Sequence, residues 1–266
     1  MTLPLKTNTF VLFLQSSIIL KGEYYTMDEL SREYILLLTI ISTTIWSALY
    51  GVLCYSNPTW SCEWNCRIVT LIHALVVITM SSTFGILYNP WPFTHPGGKS
   101  NIPEVFTMVV CLGYFMYDIC WCVWFYDSST AVMLAHHLVS IAGISASLMS
   151  GYSGTEIGTC IFLGELSNPM LQLRYFMRQS GIKDGILYEL NELTFLMTFI
   201  VCRAGIGSYL TFCHVMHPLP HVFFKIGGVA LYVVSWIFIV QLLTIVFHKY
   251  SCRSSHDVKH AIKKDN

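Results

Sequence analysis

Charge is what this chain has least of. Asp, Glu, Lys and Arg together make up 11% of its 266 residues, against roughly 25% in a soluble domain. A soluble globular fold is excluded, because its surface would need polar residues that are not there. The two signs balance at fifteen each, for a net charge of zero. That removes the basic footprint a nucleic-acid binder requires, so no nucleic-acid partner is expected. No Asn-x-Ser/Thr acceptor occurs, since Asn57-Pro58-Thr59 has proline in the middle. Ten cysteines are present, but most sit inside apolar stretches (Cys54, Cys111, Cys120, Cys122, Cys160, Cys202, Cys213). There they read as small buried hydrophobes. Cys62 and Cys66 lie in a loop, at a spacing that specifies neither zinc nor a disulfide framework. No metal site is expected.

What the chain has in abundance is apolar sequence: 54% hydrophobic residues and a mean hydropathy of +0.57. A helix crossing a bilayer needs about 20 apolar residues, and seven windows meet that length. They run over 34–55, 67–88, 104–126, 131–149, 157–176, 193–213 and 222–247. The fifth is the weakest, because it contains Glu165, Asn168, Gln172 and Arg174. Breakers separate the windows, among them Asn57-Pro58, Asn89-Pro90-Trp91-Pro92, Asp127-Ser128-Ser129 and His217-Pro218-Leu219-Pro220. Tyr55, Trp60, Tyr88, Trp91, Tyr126 and Tyr250 fall near window ends, as interfacial anchors do. The fold class is therefore an all-α polytopic membrane helix bundle of six to seven transmembrane helices. It has an N-terminal extension over 1–33, a membrane domain over 34–247 and a basic tail over 248–266. The apolar run Phe10 to Leu20 is too short to span and reads as an interfacial extension, with Met27 as an alternative start.

Seven crossings put the chain ends on opposite faces. One face holds Lys6, Lys21, Arg32 and Lys99. The other holds Arg67, Arg174, Arg178, Lys183, Lys249, Arg253, Lys259, Lys263 and Lys264. The positive-inside rule places the second face, with the C-terminus, in the cytosol. The ending Lys263-Lys264-Asp265-Asn266 matches a dilysine retrieval signal, with a cytosolic coat protein as its reader. Localisation to the endoplasmic reticulum is expected, with the plasma membrane as the alternative.

A rise of 1.5 Å per residue assigns each intramembrane polar group a depth from the cytosolic face. His73 lies about 8 Å in, His136 and His137 about 8–9 Å, and Asp118 and Asn168 about 12 Å. Arg203 lies about 15 Å in and Glu165 about 17 Å. Ionisable residues at such depths are costly and point to function. Glu165, Asn168 and Gln172 stand at i, i+3, i+7 and form one stripe. Pro169 within that helix frees the Glu165 carbonyl. Together these residues predict a polar chamber open toward the cytosolic leaflet, built from spans two to six. Plainer roles stand beside this one. His73 is read as a structural donor to a carbonyl, Asn168 and Gln172 as interhelical glue, and Arg203 as a counter-ion to Glu165 or Asp118. Asp127 is read as a cap for the fourth span. The His214, His217, His221 group lacks a carboxylate in its own loop.

Three segments carry a resemblance. Gly113-Tyr114-Phe115-Met116-Tyr117-Asp118, Ala135-His136-His137-Leu138-Val139-Ser140-Ile141 and Gly164-Glu165-Leu166-Ser167-Asn168-Pro169-Met170-Leu171-Gln172-Leu173-Arg174 resemble successive signatures of the TLC domain. Arg203 after Phe195 and Phe199 fits the sixth-span pattern. The resemblance covers roughly 35–247. It implies a lipid context, because ceramide synthases of this family transfer an acyl group from acyl-CoA to a long-chain base. Their adjacent histidines match His136 and His137. An acid orienting the imidazole would be Glu165 or Asp118, and a neutral imidazole suits acyl transfer near neutral pH. The chain departs from the synthases at Asn168, where they carry aspartate, and in lacking their acidic stretch.

Two readings stand open. One is a protein of membrane lipid composition whose chamber binds a headgroup without turnover, or that senses lipid or binds cargo. The other is an acyltransferase with acyl-CoA as co-substrate. In it His136, His137, Glu165 and Asp118 are catalytic, and Asn168, Gln172, Arg174 and Arg203 bind substrate. Membrane lipids are the expected partners, and no bound cofactor is expected. A heptahelical receptor shares only the span count.

Overall fold

A computed structural model describes residues 31–86, 90–127 and 130–264. The described residues form helices and no strand, apart from one isolated bridge between Lys99 and Tyr152. The run Phe10 to Leu20 and Met27 lie outside the described residues, as do the side chains of Lys263 and Lys264.

Helix starts follow the capping residues in the sequence. Helix α1 (Arg32–Ser56) begins where the Ser31 hydroxyl accepts from the Tyr34 amide at 3.2 Å. Helix α2 (Cys62–Met80) begins where Ser61 accepts from the Trp64 amide at 3.1 Å, and it runs on into a π-helical turn, Ser81–Ile86. In both, a Glu in the first turn favours the positive helix end. Helix α3 (Ile102–Trp124) carries a full capping box from Asn101 and Glu104, with Pro103 in its first turn. Helix α4 (Ala131–Ser150) follows a tight turn in which the Asp127 carboxylate accepts from the Thr130 amide and hydroxyl. The N-cap residue itself is Thr130, which makes no side-chain cap bond, so Asp127 fixes the preceding turn rather than capping the helix as expected. Next come α5 (Gly154–Glu165), α6 (Asn168–Gln179) and α7 (Ile186–Ile200). A π-helical segment, Val201–Ile206, joins α7 to α8 (Gly207–Met216), and α9 (Val222–Lys264) completes the chain.

Six stretches are long and apolar enough to cross a membrane: Arg32–Ser56, Cys62–Thr83, Ile102–Trp124, Ala131–Ser150, Ile186–Met216 and Val222–His248. The protein is a multi-pass membrane protein. The fifth expected window is not one helix but the pair α5 and α6, of twelve residues each. Leu166 (φ −58°, ψ −32°) and Ser167 (φ −85°, ψ −13°) keep right-handed helical angles, so the chain bends there without turning back. Pro169 has no amide to offer the Glu165 carbonyl, which accounts for the break. Each half is about 18 Å long, and together they match the roughly 30 Å hydrocarbon layer.

The connections gather at two ends. At one end the Ser100 amide donates to Gly151 O and the Ser153 amide to Gly98 O, both at 2.8 Å. The Gly97 amide donates to Glu156 Oε1 at 2.7 Å. Gly97 is left-handed (φ 82°) and so close to Pro220 that a Cβ would lie 2.6 Å from its nitrogen. At the other end Trp64 packs on Phe176, with ring centroids 4.7 Å apart, and the Arg67 guanidinium lies 4.3 Å from the Tyr175 ring centre. These groupings match the loops expected to share each face.

Helix α3 is the axis of the bundle. Two thirds of its apolar window is buried (67%), against 11% for α1 and 17% for α9, whose outer faces are left to lipid. Helix α1 reaches α3 through a close approach of small residues. A Cβ on Gly113 would sit 2.2 Å from Ser42 Oγ and 2.9 Å from the Ser42 carbonyl carbon. Ser42 and Trp46 both donate to the Val110 carbonyl, at 3.4 and 3.3 Å. Between apolar helices in lipid, this closeness and these bonds supply the attraction that water supplies elsewhere.

Candidate functional site

His136 and His137 leave α4 about 100° apart, and the two rings meet different surroundings. The imidazole of His137 is buried (3% exposed) against α3, with Nε2 3.1 Å from Asp118 Oδ2. The ring lacks the alignment of a full hydrogen bond at either nitrogen. Phe115 lies against its edge at 5.2 Å. Asp118 also accepts from the Cys66 thiol, with Sγ 3.8 Å from Oδ1. His136 faces the other way, between Phe115 and Phe238, and its Nδ1 is buried without a partner.

His136 lines a cavity of about 350 Å³ enclosed by α4, α5, the 201–206 segment, α8 and α9, with Cys111 and Phe115 of α3. Most of the wall is apolar. Polar groups gather at its two ends. One end holds His136, Glu165, Arg203 and Ser235; the other holds Ser153, Glu156 and His214. This corrects the expected chamber in two respects. The walls come from spans four to seven with a contribution from span three, and α2 contributes nothing. The cavity also reaches toward the end of the bundle that carries 151–156 and 214–221, which is opposite the expected opening. The reason is the bend at Pro169, which turns the lower half of the fifth span away from α8 and α9 and onto α2 and α7.

Arg203 lies in the π-helical segment, a wide turn that recurs at functional positions. Its guanidinium donates to the Gly164 carbonyl at 3.1 Å and to Ser235 Oγ at 3.2 Å, and sits 4.8 Å from the Phe199 ring centre. The expected pairing of Arg203 with Glu165 or Asp118 does not form within ion-pair distance among the described residues. A carbonyl and a hydroxyl each take one of its terminal nitrogens instead, and its buried Nε has no hydrogen-bond partner. Arg174 lies outside the cavity lining and pairs with Glu192 of α7 at 3.1 Å.

The Glu165, Asn168, Gln172 stripe forms a continuous chain of hydrogen bonds. Asn168 Nδ2 donates to Glu165 Oε2 at 2.8 Å, Gln172 Nε2 donates to Asn168 Oδ1 at 2.6 Å, and Arg67 Nη1 donates to Gln172 Oε1 at 3.2 Å. Arg67 is held in turn by Glu63 at 3.0 Å. Arginine has no acceptor. Gln172 must therefore present its oxygen to Arg67 and its amide to Asn168, and Asn168 must present its amide to Glu165. Every donor in the chain points toward the cavity. Asn168, Gln172 and Asp118 are themselves outside the cavity lining.

Sequence reasoning did not pick out Arg67, Cys66, Cys122 or Glu156. Arg67 has a local signal, since it shares a helix face with Glu63 at i, i+4, but its partner across the bundle has none. Glu156 pairs with His214 Nδ1 at 3.4 Å and supplies the carboxylate that the histidine loop lacks. His73 departs from its expected role as a donor to a carbonyl. It stacks on Tyr114 with ring centroids 3.7 Å apart, meets Trp46 edge-on at 5.4 Å, and bonds at neither nitrogen.

The family model for the TLC domain matches residues 63–250, well over half of the chain. The chain belongs to the TLC domain family. The match takes in every residue that lines the cavity and the whole Arg67–Glu165 chain. The TLC match begins in the first turn of α2.

Proposed function

We propose that this TLC-domain protein binds a membrane lipid in the cavity beside α4 and so acts on membrane lipid composition, with the face carrying Arg67 and Arg178 in the cytosol. The observation that carries the reading is the cavity itself. Its volume of about 350 Å³ and its apolar wall suit an acyl chain, while His136, Glu165, Arg203 and Ser235 offer a headgroup both donors and acceptors. Arg203, held by Gly164 and Ser235, is positioned for a phosphate, carboxylate or hydroxyl.

The test uses the open space beside Gly143, where a Cβ would meet nothing within 4 Å on the cavity side. Gly143→Phe fills the cavity without a backbone clash. Purified from membranes, the wild-type protein is expected to carry lipid that mass spectrometry detects and that Gly143→Phe loses. Cells expressing the wild type but not the variant, at equal protein level, should show an altered lipidome. Equal lipid in both proteins and unchanged lipidomes would overturn the reading.

One observation favours catalysis as a second reading: His136 lines the cavity together with Glu165 and Arg203. A neutral imidazole there can attack a thioester carbonyl, release the thiol and pass the acyl group to an amine or hydroxyl. His137, Asp118 and Glu165 would position that ring and its acceptor, with acyl-CoA as co-substrate. Release of free thiol from acyl-CoA by the wild type, absent in His136→Ala, is the expected signature. No thiol release above background would leave binding without turnover.

A further inference from the structure

Three side chains from two other helices converge behind His137, on the side away from the cavity. Asp118 and Cys122 stand one turn apart on α3, His137 enters from α4, and Cys66 enters from α2. All four are buried, between 3% and 8% exposed. One ligand atom from each of Asp118, Cys122 and His137 lies within 4.8 Å of the others. His137 Nε2 is 3.1 Å from Asp118 Oδ2, and Cys66 Sγ is 3.8 Å from Asp118 Oδ1. His137 finds no aligned hydrogen bond, although it is almost fully buried and aimed into this group.

We infer that Asp118, Cys122 and His137 form a zinc site within the membrane domain, with the Cys66 thiol orienting the Asp118 carboxylate. Bonds of about 2.0–2.3 Å in tetrahedral array set ligand atoms roughly 3.3–3.8 Å apart. His137 Nε2 and Asp118 Oδ2 stand slightly closer than that at 3.1 Å, and with all three ligand atoms within 4.8 Å of one another small rotations of the side chains close the site. Sulfur, nitrogen and oxygen together are the ligand set zinc accepts. Charge supports three ligands with Cys66 left as a thiol. A doubly charged cation, one thiolate, one carboxylate and a neutral imidazole sum to zero, the favoured total where uncompensated charge is costly. Binding at neutral pH releases the Cys122 proton to solvent. Asp118 is six residues from the end of α3, or about 9 Å of helix, which gives a short entry route from the cytosolic face. The ion would pin α4 to α3 one residue away from His136, and so fix the ring that faces the cavity.

The proposal is independent of the lipid reading and is tested on metal alone. The full chain is purified in detergent from zinc-supplemented cells, without chelator, and its metal is counted by mass spectrometry. About one zinc per chain is expected, with Cys122→Ala and His137→Ala falling to background. Cys66→Ala should keep the ion but bind it roughly 10–100-fold more weakly, as loss of a supporting partner does. Cobalt(II) exchanged into the wild type should give a thiolate-to-metal absorption band that is absent in Cys122→Ala. Should that variant fail to fold, chelator removal and re-addition on the wild type reads the same band. Zinc far below stoichiometric together with no cobalt band, or equal zinc in wild type and folded Cys122→Ala, would overturn the site whatever lipid the protein carries.

Discussion

At the scale of single residues, the His136–His137 pair divides its labour because helix geometry gives it no choice. One ring looks into the cavity and the other into α3, and substitution should separate them. His136→Phe removes a polar atom that has no partner and packs an aromatic ring against Phe115 and Phe238. The melting temperature in detergent is expected to hold or rise while any lipid effect is lost, the usual exchange between stability and a functional site. His137→Phe breaks the contact with Asp118 and leaves a buried carboxylate short of a partner. Its melting temperature should fall by the equivalent of about 1–3 kcal/mol. The sequence made the cost of these histidines legible, because ionisable residues in an apolar run need no structure to be noticed. It did not make legible that Cys122 comes near His137, or that Cys66 meets the Asp118 beside it. Those contacts bridge 52 residues in the Cys66–Asp118 pair, and only the register of α2 on α3 brings the groups together. The stripe Glu165, Asn168, Gln172 was readable because its members lie close together in sequence, and the spacing survives the break between α5 and α6. Its anchor, Arg67, lies 105 residues from Gln172 and was not.

Among the elements, α1 tests how helices adhere without water to drive them. Gly113→Ala places a methyl group 2.2 Å from Ser42 Oγ and 2.5 Å from Ser42 Cβ, so α1 must move outward. A loss of about 1–3 kcal/mol is expected from this overpacking, read by thermal unfolding in detergent. Ser42→Gly in the same background removes the side-chain clash but not the Ser42 carbonyl carbon at 2.9 Å, so it should restore part of the loss. A double variant no better than Gly113→Ala would mean that α1 is held elsewhere. Hydropathy located the six continuous spans because each has a long apolar stretch. The fifth reads as weak for the same polar residues that form the chain to Arg67. Proline marked where it breaks, but its local signal could not say onto which neighbours the lower half would lean.

For the molecule as a whole, the proposed placement of the Arg67 face in the cytosol makes a prediction about sides. Cys62, exposed at the start of α2, belongs to the end that also carries Tyr175 and Phe176. A chain whose other cysteines are replaced should take up a membrane-impermeant maleimide at Cys62 in intact, cytosol-side-out vesicles. A cysteine placed at Gly98, at the opposite end, should react only after the membrane is opened. Labelling of both before permeabilisation would mean an even number of crossings between them. The chain of side chains from Arg67 to Glu165 has a consequence at this same scale. All its donors point one way, so each bond polarises the next, and the influence of a cation near one membrane surface is carried toward the bilayer centre. Its two middle links are carboxamides, which do not exchange protons as carboxylates and imidazoles do. The path is an electrical connection that is closed to protons. A proton bound for Glu165 does not travel along it, whereas the cavity that Glu165 also lines offers a route shared with whatever molecule occupies it.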